Sequence, residues 1–281
     1  MNLYKYLPPE RVDIIENLKI RFTQTAVLND PFESFPGTAV TKPKEYYQNK
    51  FEEKIKEELA QNPFLRDVER KRVFRDKKKL FPKYYHNCTD KNRLENIAYE
   101  IQKMSSTVSG ILSLSQNCDN ILMWSHYTNS HKGFVIEFDH KHEFFNKYVH
   151  SVIYTDKRPE IDLTESKQSG ELFYTKSKDW AYEEEVRMSQ YFVAPLKMKN
   201  GNDFLPYTIN DSKQPVDESI KLFDIPKESI KSIIFGWKIE QELIERIINI
   251  VDYKEMTWVH FFNATPHDRL FKMNITRYKK T

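Results

Sequence analysis

The residues from Ser113 to Asp139, SLSQNCDNILMWSHYTNSHKGFVIEFD, constrain this chain more than any other stretch. Their apolar spacing reads as strand, short helix, tight turn, strand. Asn117 and Asp119 are both good N-caps, Leu122, Met123, Trp124 and Tyr127 follow at helical spacing, and Gly133 marks the exit. Gly133 to Phe138 then alternates as a half-buried strand does. A core helix has use for Met and Trp. It has none for two histidines at its polar end, facing a glycine turn. Trp124, His126, Tyr127, His131 and Lys132 are therefore the first candidate site.

The flanking chain supplies the frame. Leu3–Leu7 is a short aromatic strand ended by Pro8 and Pro9, followed by a helix over Glu10–Asn17 and a strand over Lys19–Thr23. Asn29-Asp30-Pro31 is a turn, with Asp30 read as an Asx turn pinned by Phe32 in the core and Glu33 directed back toward the cleft. Residues 43–106 change character, being dense in Lys, Arg and Glu with Tyr46, Phe51, Ile55 and Leu59 at helical intervals. Two helices broken at Asn62-Pro63 and a third over Lys91–Met104 make this a helical insertion. Its basic run, Arg70-Lys71-Arg72 through Lys77-Lys78-Lys79, reads as a solvated helix face. Strands are expected at Gly110–Ser115 and His150–Tyr154, with polar stretches over 156–170 and 195–224. Residues 225–281 read as a β-α-β element: Ile230–Gly236, a helix over Ile239–Val251, and Trp258–Phe262 with His260 as a core histidine. The whole is one α+β domain, a mixed or antiparallel sheet core with a helical insertion.

Composition narrows the function. Six glycines are too few for a Rossmann or P-loop architecture, and neither fingerprint is present. Nineteen Phe and 16 Tyr carry much of the burial in a chain only 39% hydrophobic. A net charge of +3 does not mark a dedicated DNA-binding domain. Cys88 and Cys118 have no metal-type pairing and read as reduced thiols. With no signal-peptide core and no run of membrane-spanning length, the expected location is cytoplasmic, with no membrane partner. No metal is expected.

The second informative stretch is LFYTKSKDWAYEEEVRMSQYF, residues 172–192. If the strand begins at Glu183, then Glu183, Glu185 and Arg187 share one face and Glu184, Val186 and Met188 the other. Two carboxylates that close repel unless a cation lies between them, and Arg187 is that cation. An internal ion-pair ladder and a functional pair fit this pattern equally.

Three stretches together resemble one bacterial family. They are Arg21-Phe-Thr with Asn29-Asp-Pro-Phe-Glu33, Met123-Trp-Ser-His-Tyr127 with His131-Lys-Gly133, and Lys176 with Trp180-Ala-Tyr-Glu-Glu-Glu-Val-Arg187. In motif order and spacing the chain resembles the family catalogued as domain of unknown function 2971. A more distant likeness is to ADP-ribosyltransferases, whose catalytic glutamate motif Glu183-x-Glu185 resembles. The early Arg or His motif of those enzymes has no sure counterpart here, and the middle motif sits on a predicted helix.

That likeness implies NAD as substrate and a set of roles. Glu185 would stabilise the oxocarbenium charge that develops on the ribose, and Glu183 would orient or deprotonate the acceptor. Tyr127 or Trp124 would stack on nicotinamide, Arg21 would pair with the pyrophosphate, and His126 and His131 would contact ribose or acceptor. Asn29, Asp30 and Arg187 complete the expected substrate-binding set. The implied function is an NAD-using transferase or glycohydrolase, a toxin or antiphage effector, with a nucleic acid or protein as acceptor. Two rivals stand beside it: a non-catalytic nucleotide- or nucleic-acid-binding module of a defence system, and a metal-dependent nuclease using Asp30, Glu33, Glu183 and Glu185.

Overall fold

Eight strands form one sheet in the spatial order Met273–Arg277, His260–Pro266, Ile230–Phe235, Phe134–Phe138, Leu3–Leu7, Ser109–Ser115, Glu185–Tyr191, Val149–Ser151. The computed structural model describes residues 1–146, 148–164, 170–192, 196–197, 203–204 and 219–279, so the polar stretches expected at 156–170 and 195–224 lie partly outside the described residues. Within this sheet, among the described residues, the pairing of Ile230–Phe235 with His260–Pro266 is parallel and the others are antiparallel. The helix Gln241–Tyr253 connects them, which is the β-α-β element expected there. One more antiparallel strand, Met273–Arg277, extends it. His260 is exposed at this edge, 3.2 Å from the Arg277 guanidinium, and is not a core residue.

Helices cover both faces of the sheet. On one, Ile14 and Ile15 and the apolar stripe Ile244, Ile247, Ile248 and Val251 pack on Leu3, Leu7, Phe134, Ile136 and Phe235. On the other, Met123 and Trp124 of the helix Ile121–Tyr127 pack on Tyr4, Tyr6, Val135 and Ile234. Phe134–Phe138 is consequently buried at all five positions, not half-buried as its alternation suggested. Glu137 on that strand is held by Lys231 at 2.6 Å and Ser232 at 2.5 Å.

The insertion contains four helices, Lys44–Ala60, Asp67–Lys78, Phe81–Thr89 and Lys91–Val108. The first ends just before Asn62-Pro63 as expected. The third, Phe81–Thr89, was not expected; Pro82 sits in its first turn, where its lost N–H has no partner to lose. Among the described residues, no helix is long and apolar enough to cross a membrane.

The sheet parts at its centre. Leu3–Leu7 pairs with Phe134–Phe138 through five residue pairs, and Ser109–Ser115 with Glu185–Tyr191 through seven. Between Leu3–Leu7 and Ser109–Ser115 the register is a single pair, Tyr4 with Ser115. Further along, Thr23 takes over the edge, exchanging backbone bonds of 2.8 Å with Ile111. The Ser113 carbonyl between these two contacts accepts instead from Lys5 Nζ at 2.9 Å.

Candidate functional site

A cavity of about 130 Å³ opens where the two strands part. Lys5, Asn29, Glu33, Tyr127, Lys176, Glu183, Glu185 and Arg187 are among its lining residues. They come from five separate parts of the chain, and a continuous network of charged groups joins most of them.

Arg187 is its hub. The Nε–H donates to Glu185 Oε1 at 2.8 Å, and the Nη2 group to Glu185 Oε2 and Glu33 Oε2 at 3.0 Å each. The Nη1 group donates to Glu33 Oε1 and, at 2.7 Å, to the Phe173 carbonyl. All five guanidinium donors are thus used, in two bidentate forks and one backbone bond. Arg187 was expected to bind substrate. It has no donor left for a ligand and acts as a buried clamp. Glu33 and Arg187 are almost fully buried, so the pair is not the exposed kind whose value is small.

Lys176 links the second carboxylate to the first. Its Nζ donates to Glu183 Oε2 at 2.6 Å and to Glu185 Oε2 at 3.2 Å, and lies 4.7 Å from the centre of the Trp180 ring. The Tyr127 hydroxyl donates to Glu183 Oε1 at 2.5 Å, and Asn29 is a second partner of that hydroxyl. Burial pushes the Glu185 carboxyl up, but the Arg187 and Lys176 charges outweigh it and hold it down at about 2. Burial pushes the Glu33 carboxyl up against the opposing pull of Arg187. Burial also lowers Lys5, to about 8, although Glu185 and Glu183 pull the other way.

Strand parity does not bring Glu183 here. The strand starts at Glu185, and Glu184 is left-handed with φ 44° at the end of the 3-10 turn Lys178–Glu183. Glu183 reaches the cavity because that turn lays it over Lys176 and Tyr127. Glu184 faces outward and accepts from Asn117 Nδ2 at 2.9 Å.

The remaining expected residues lie elsewhere. Trp124 is wholly buried in the core, its Nε1 donating to the Cys118 carbonyl at 2.8 Å and its ring packed against Tyr6 and His131, so it offers no free face to a ligand. His126 is exposed and meets Tyr182 at 3.2 Å, outside the cavity lining. His131 stacks on Trp124 with its Nδ1 buried and unpartnered, within a turn where Asn129, Ser130 and His131 are all left-handed. Arg21 lies on a short strand paired with Leu222–Asp224 and lines neither this cavity nor its neighbour. Asp30 accepts from the Phe32 amide at 2.9 Å, the expected Asx turn, but Phe32 is 56% exposed and Asp30 faces a separate cavity. The helix is capped by Asn120, not by Asn117 or Asp119.

Glu33, Glu183 and Glu185 are already matched by Arg187 and Lys176, and Asp30 faces away, so these four carboxylates do not converge on one ion. In the insertion, Arg66 pairs with Glu69, Lys77 with Glu58, Lys78 with Glu52 and Lys79 with Asp76, which cancels much of its positive face. Tyr4, Lys5 and Tyr6, the strand that the likeness to ADP-ribosyltransferases offers for the early polar contact, do line the cavity.

Fold and site define a class: a mixed α+β protein whose central sheet parts over a buried carboxylate–cation network. Residues 123–188 match the family model described as Protein of unknown function (DUF2971), the family the three motifs resemble. The match spans the second and third motifs, which here meet through Tyr127 and Glu183. No curated protein and no solved structure matches the chain.

Proposed function

We propose that this protein is an NAD-using transferase or glycohydrolase acting in the cytoplasm, with the cavity between the parted strands as its active site. The observation that carries this reading is the pair Glu183 and Glu185, both bonded to Lys176 Nζ and both lining one small cavity. A cavity of about 130 Å³ holds one ring, not a dinucleotide. It suits the nicotinamide–ribose end, with the rest of the ligand outside.

In this reading the bond between ribose C1′ and the nicotinamide nitrogen breaks, and nicotinamide leaves with the electron pair. The positive charge that develops on the ribose is stabilised by the Glu185 carboxylate, which Arg187 and Lys176 keep ionised. Water or an acceptor hydroxyl then adds at C1′, and Glu183 takes its proton. Tyr127 orients Glu183 for that step. A toxin or antiphage role fits an activity that depletes NAD or transfers its ADP-ribosyl group.

The test is nicotinamide release from NAD by the purified chain. Release that falls on the order of a hundredfold or more in Glu183→Gln, with the fold intact, supports the reading. No release from wild type, or equal release from both, ends it.

A further inference from the structure

The turn from Asn29 to Phe35 is a wall with two sides. Asn29 and Glu33 face the cavity described above, while Asp30, Phe32, Ser34 and Phe35 face a second cavity of about 180 Å³. Lys176 lines both. We propose that this second cavity binds an adenine-type base, a planar ring presenting one amino donor beside one ring-nitrogen acceptor.

Ser34 points to a ligand first. Only 2% of it is exposed, its φ of 50° is left-handed, and its hydroxyl is buried with no hydrogen-bond partner. An unpaired buried hydroxyl on a strained residue is rare, and a ring nitrogen accepting from it would satisfy the group. Asp30 is the complementary group. Its Oδ1 is taken by the Phe32 amide, and no bond among the described residues occupies Oδ2. Asp30 and Ser34 belong to one turn and line one cavity, so a carboxylate acceptor and a hydroxyl donor are both offered there, the complement of the amino group and ring acceptor on one edge of adenine. Guanine offers an oxo group where adenine has its amine, and would set that oxygen against the carboxylate.

The mouth supplies stacking and charge. The Arg158 guanidinium lies 5.1 Å from the Phe32 ring centre and 5.9 Å from that of Phe35, and Phe32 is largely exposed. A base layered on this group extends an existing cation–aromatic stack. Lys157 lines the same cavity and adds positive charge for a phosphate.

The base site stands on these residues alone. Its extension rests on the proposed function: because the cavities share Lys176, a dinucleotide places one ring in each, and the substrate class is the whole dinucleotide rather than a nicotinamide nucleoside.

The experiment is calorimetric titration of the full chain with AMP and with GMP. Saturable AMP binding is expected, with GMP at least tenfold weaker. Ser34→Ala should weaken AMP at least fivefold while leaving the melting temperature equal or higher, and Arg158→Ala should weaken it about tenfold. Glu183→Gln should bind AMP as wild type does. Absence of AMP binding, equal GMP binding, or AMP affinity unchanged in both variants overturns the site, even if nicotinamide is released. AMP binding without nicotinamide release leaves the base site standing and removes only the proposed reaction.

Discussion

Lys5 Nζ donates to the Ser113 carbonyl at 2.9 Å, in the place where a neighbouring strand would offer an amide. The lysine bridges the gap that makes the cavity, within the field of Glu183 and Glu185. Burial is the larger influence and brings its ammonium down to about 8, below the ordinary 10.5.

At pH 8 roughly half of Lys5 is therefore neutral, against under about 1% of an ordinary lysine. Amine acylation at that pH, read by mass spectrometry, should mark Lys5 ahead of the surface lysines. The sign for stability follows. Between pH 8 and 10.5 the unfolded chain holds more protons than the folded one, so the Lys5 contribution rises with pH there and is least favourable below 8. Lys5→Met should remove that slope. Labelling no faster than at exposed lysines contradicts the lowered ammonium.

Arg187→Met leaves the Glu33 and Glu185 carboxylates buried without their cation. The loss should be about 3–5 kcal/mol, seen in the denaturant midpoint. Arg187→Lys keeps the charge but cannot form two forks, so it should also destabilise. A wild-type midpoint for Arg187→Lys would show that the clamp is not structural.

Glu185 sets the acid limb. Its folded carboxyl stays ionised down to about 2, below the ordinary 4.5, so its contribution is full above 4.5 and fades as pH falls toward 2. Glu33, raised by burial, acts in the opposite sense. Stability of Glu185→Gln measured from pH 5 to 2 should fall less steeply than wild type. Glu185 is gripped by both Arg187 and Lys176, so this variant loses stability as well as charge; Glu183 is equally buried but stands outside the Arg187 forks, which makes Glu183→Gln the cleaner probe of chemistry.

Tyr127→Phe removes the hydroxyl that donates to Glu183. A bond to a charged acceptor contributes about 1.5–3 kcal/mol, so the melting temperature should drop modestly. Nicotinamide release should fall by more than the loss of folded protein explains. Release in strict proportion to folded protein would make Tyr127 a packing residue.

The basic insertion should bind duplex nucleic acid weakly, since its lysines are paired with Glu58, Glu52 and Asp76. Fluorescence anisotropy between 50 and 200 mM salt tests this. Tight binding that drops by orders of magnitude across that range would reinstate the phosphate-contacting face.

The local patterns of the sequence carried the frame and half the site. The β-α-β element was legible because its apolar period switches from 2 to 3.6 and back. Tyr127 and Glu183 were legible because a phenol at the polar end of a helix and a carboxylate run at a strand start have little to do in a core. What failed was partnership. Glu33 and Arg187 are 154 residues apart, and no periodicity announces such a pair. Trp124 lies on the helix that carries Tyr127 and His131 in the turn after it, but the two rings stack on each other away from the cavity lining, so proximity in sequence misled. The parity reading assumed an extended Glu184, whereas its left-handed turn changes which residues share a side.

The left-handed turn after Tyr127 depends on distant chain. The Lys238 amide donates to the His131 carbonyl at 2.9 Å and the Gly236 amide to the Gly133 carbonyl at 3.0 Å, about a hundred residues later. A side chain on Gly133 would strike the Leu7 carbonyl, and one on Gly236 the His131 carbonyl, so both approaches are as close as backbone allows. During synthesis, a chain that has left the ribosome through Arg187 already carries Glu33, Lys176, Glu183 and Glu185, yet it lacks the residues that close the turn beside Tyr127. The helix that carries Tyr127 is thus anchored by the β-α-β element rather than by the segment that supplies its carboxylate partner.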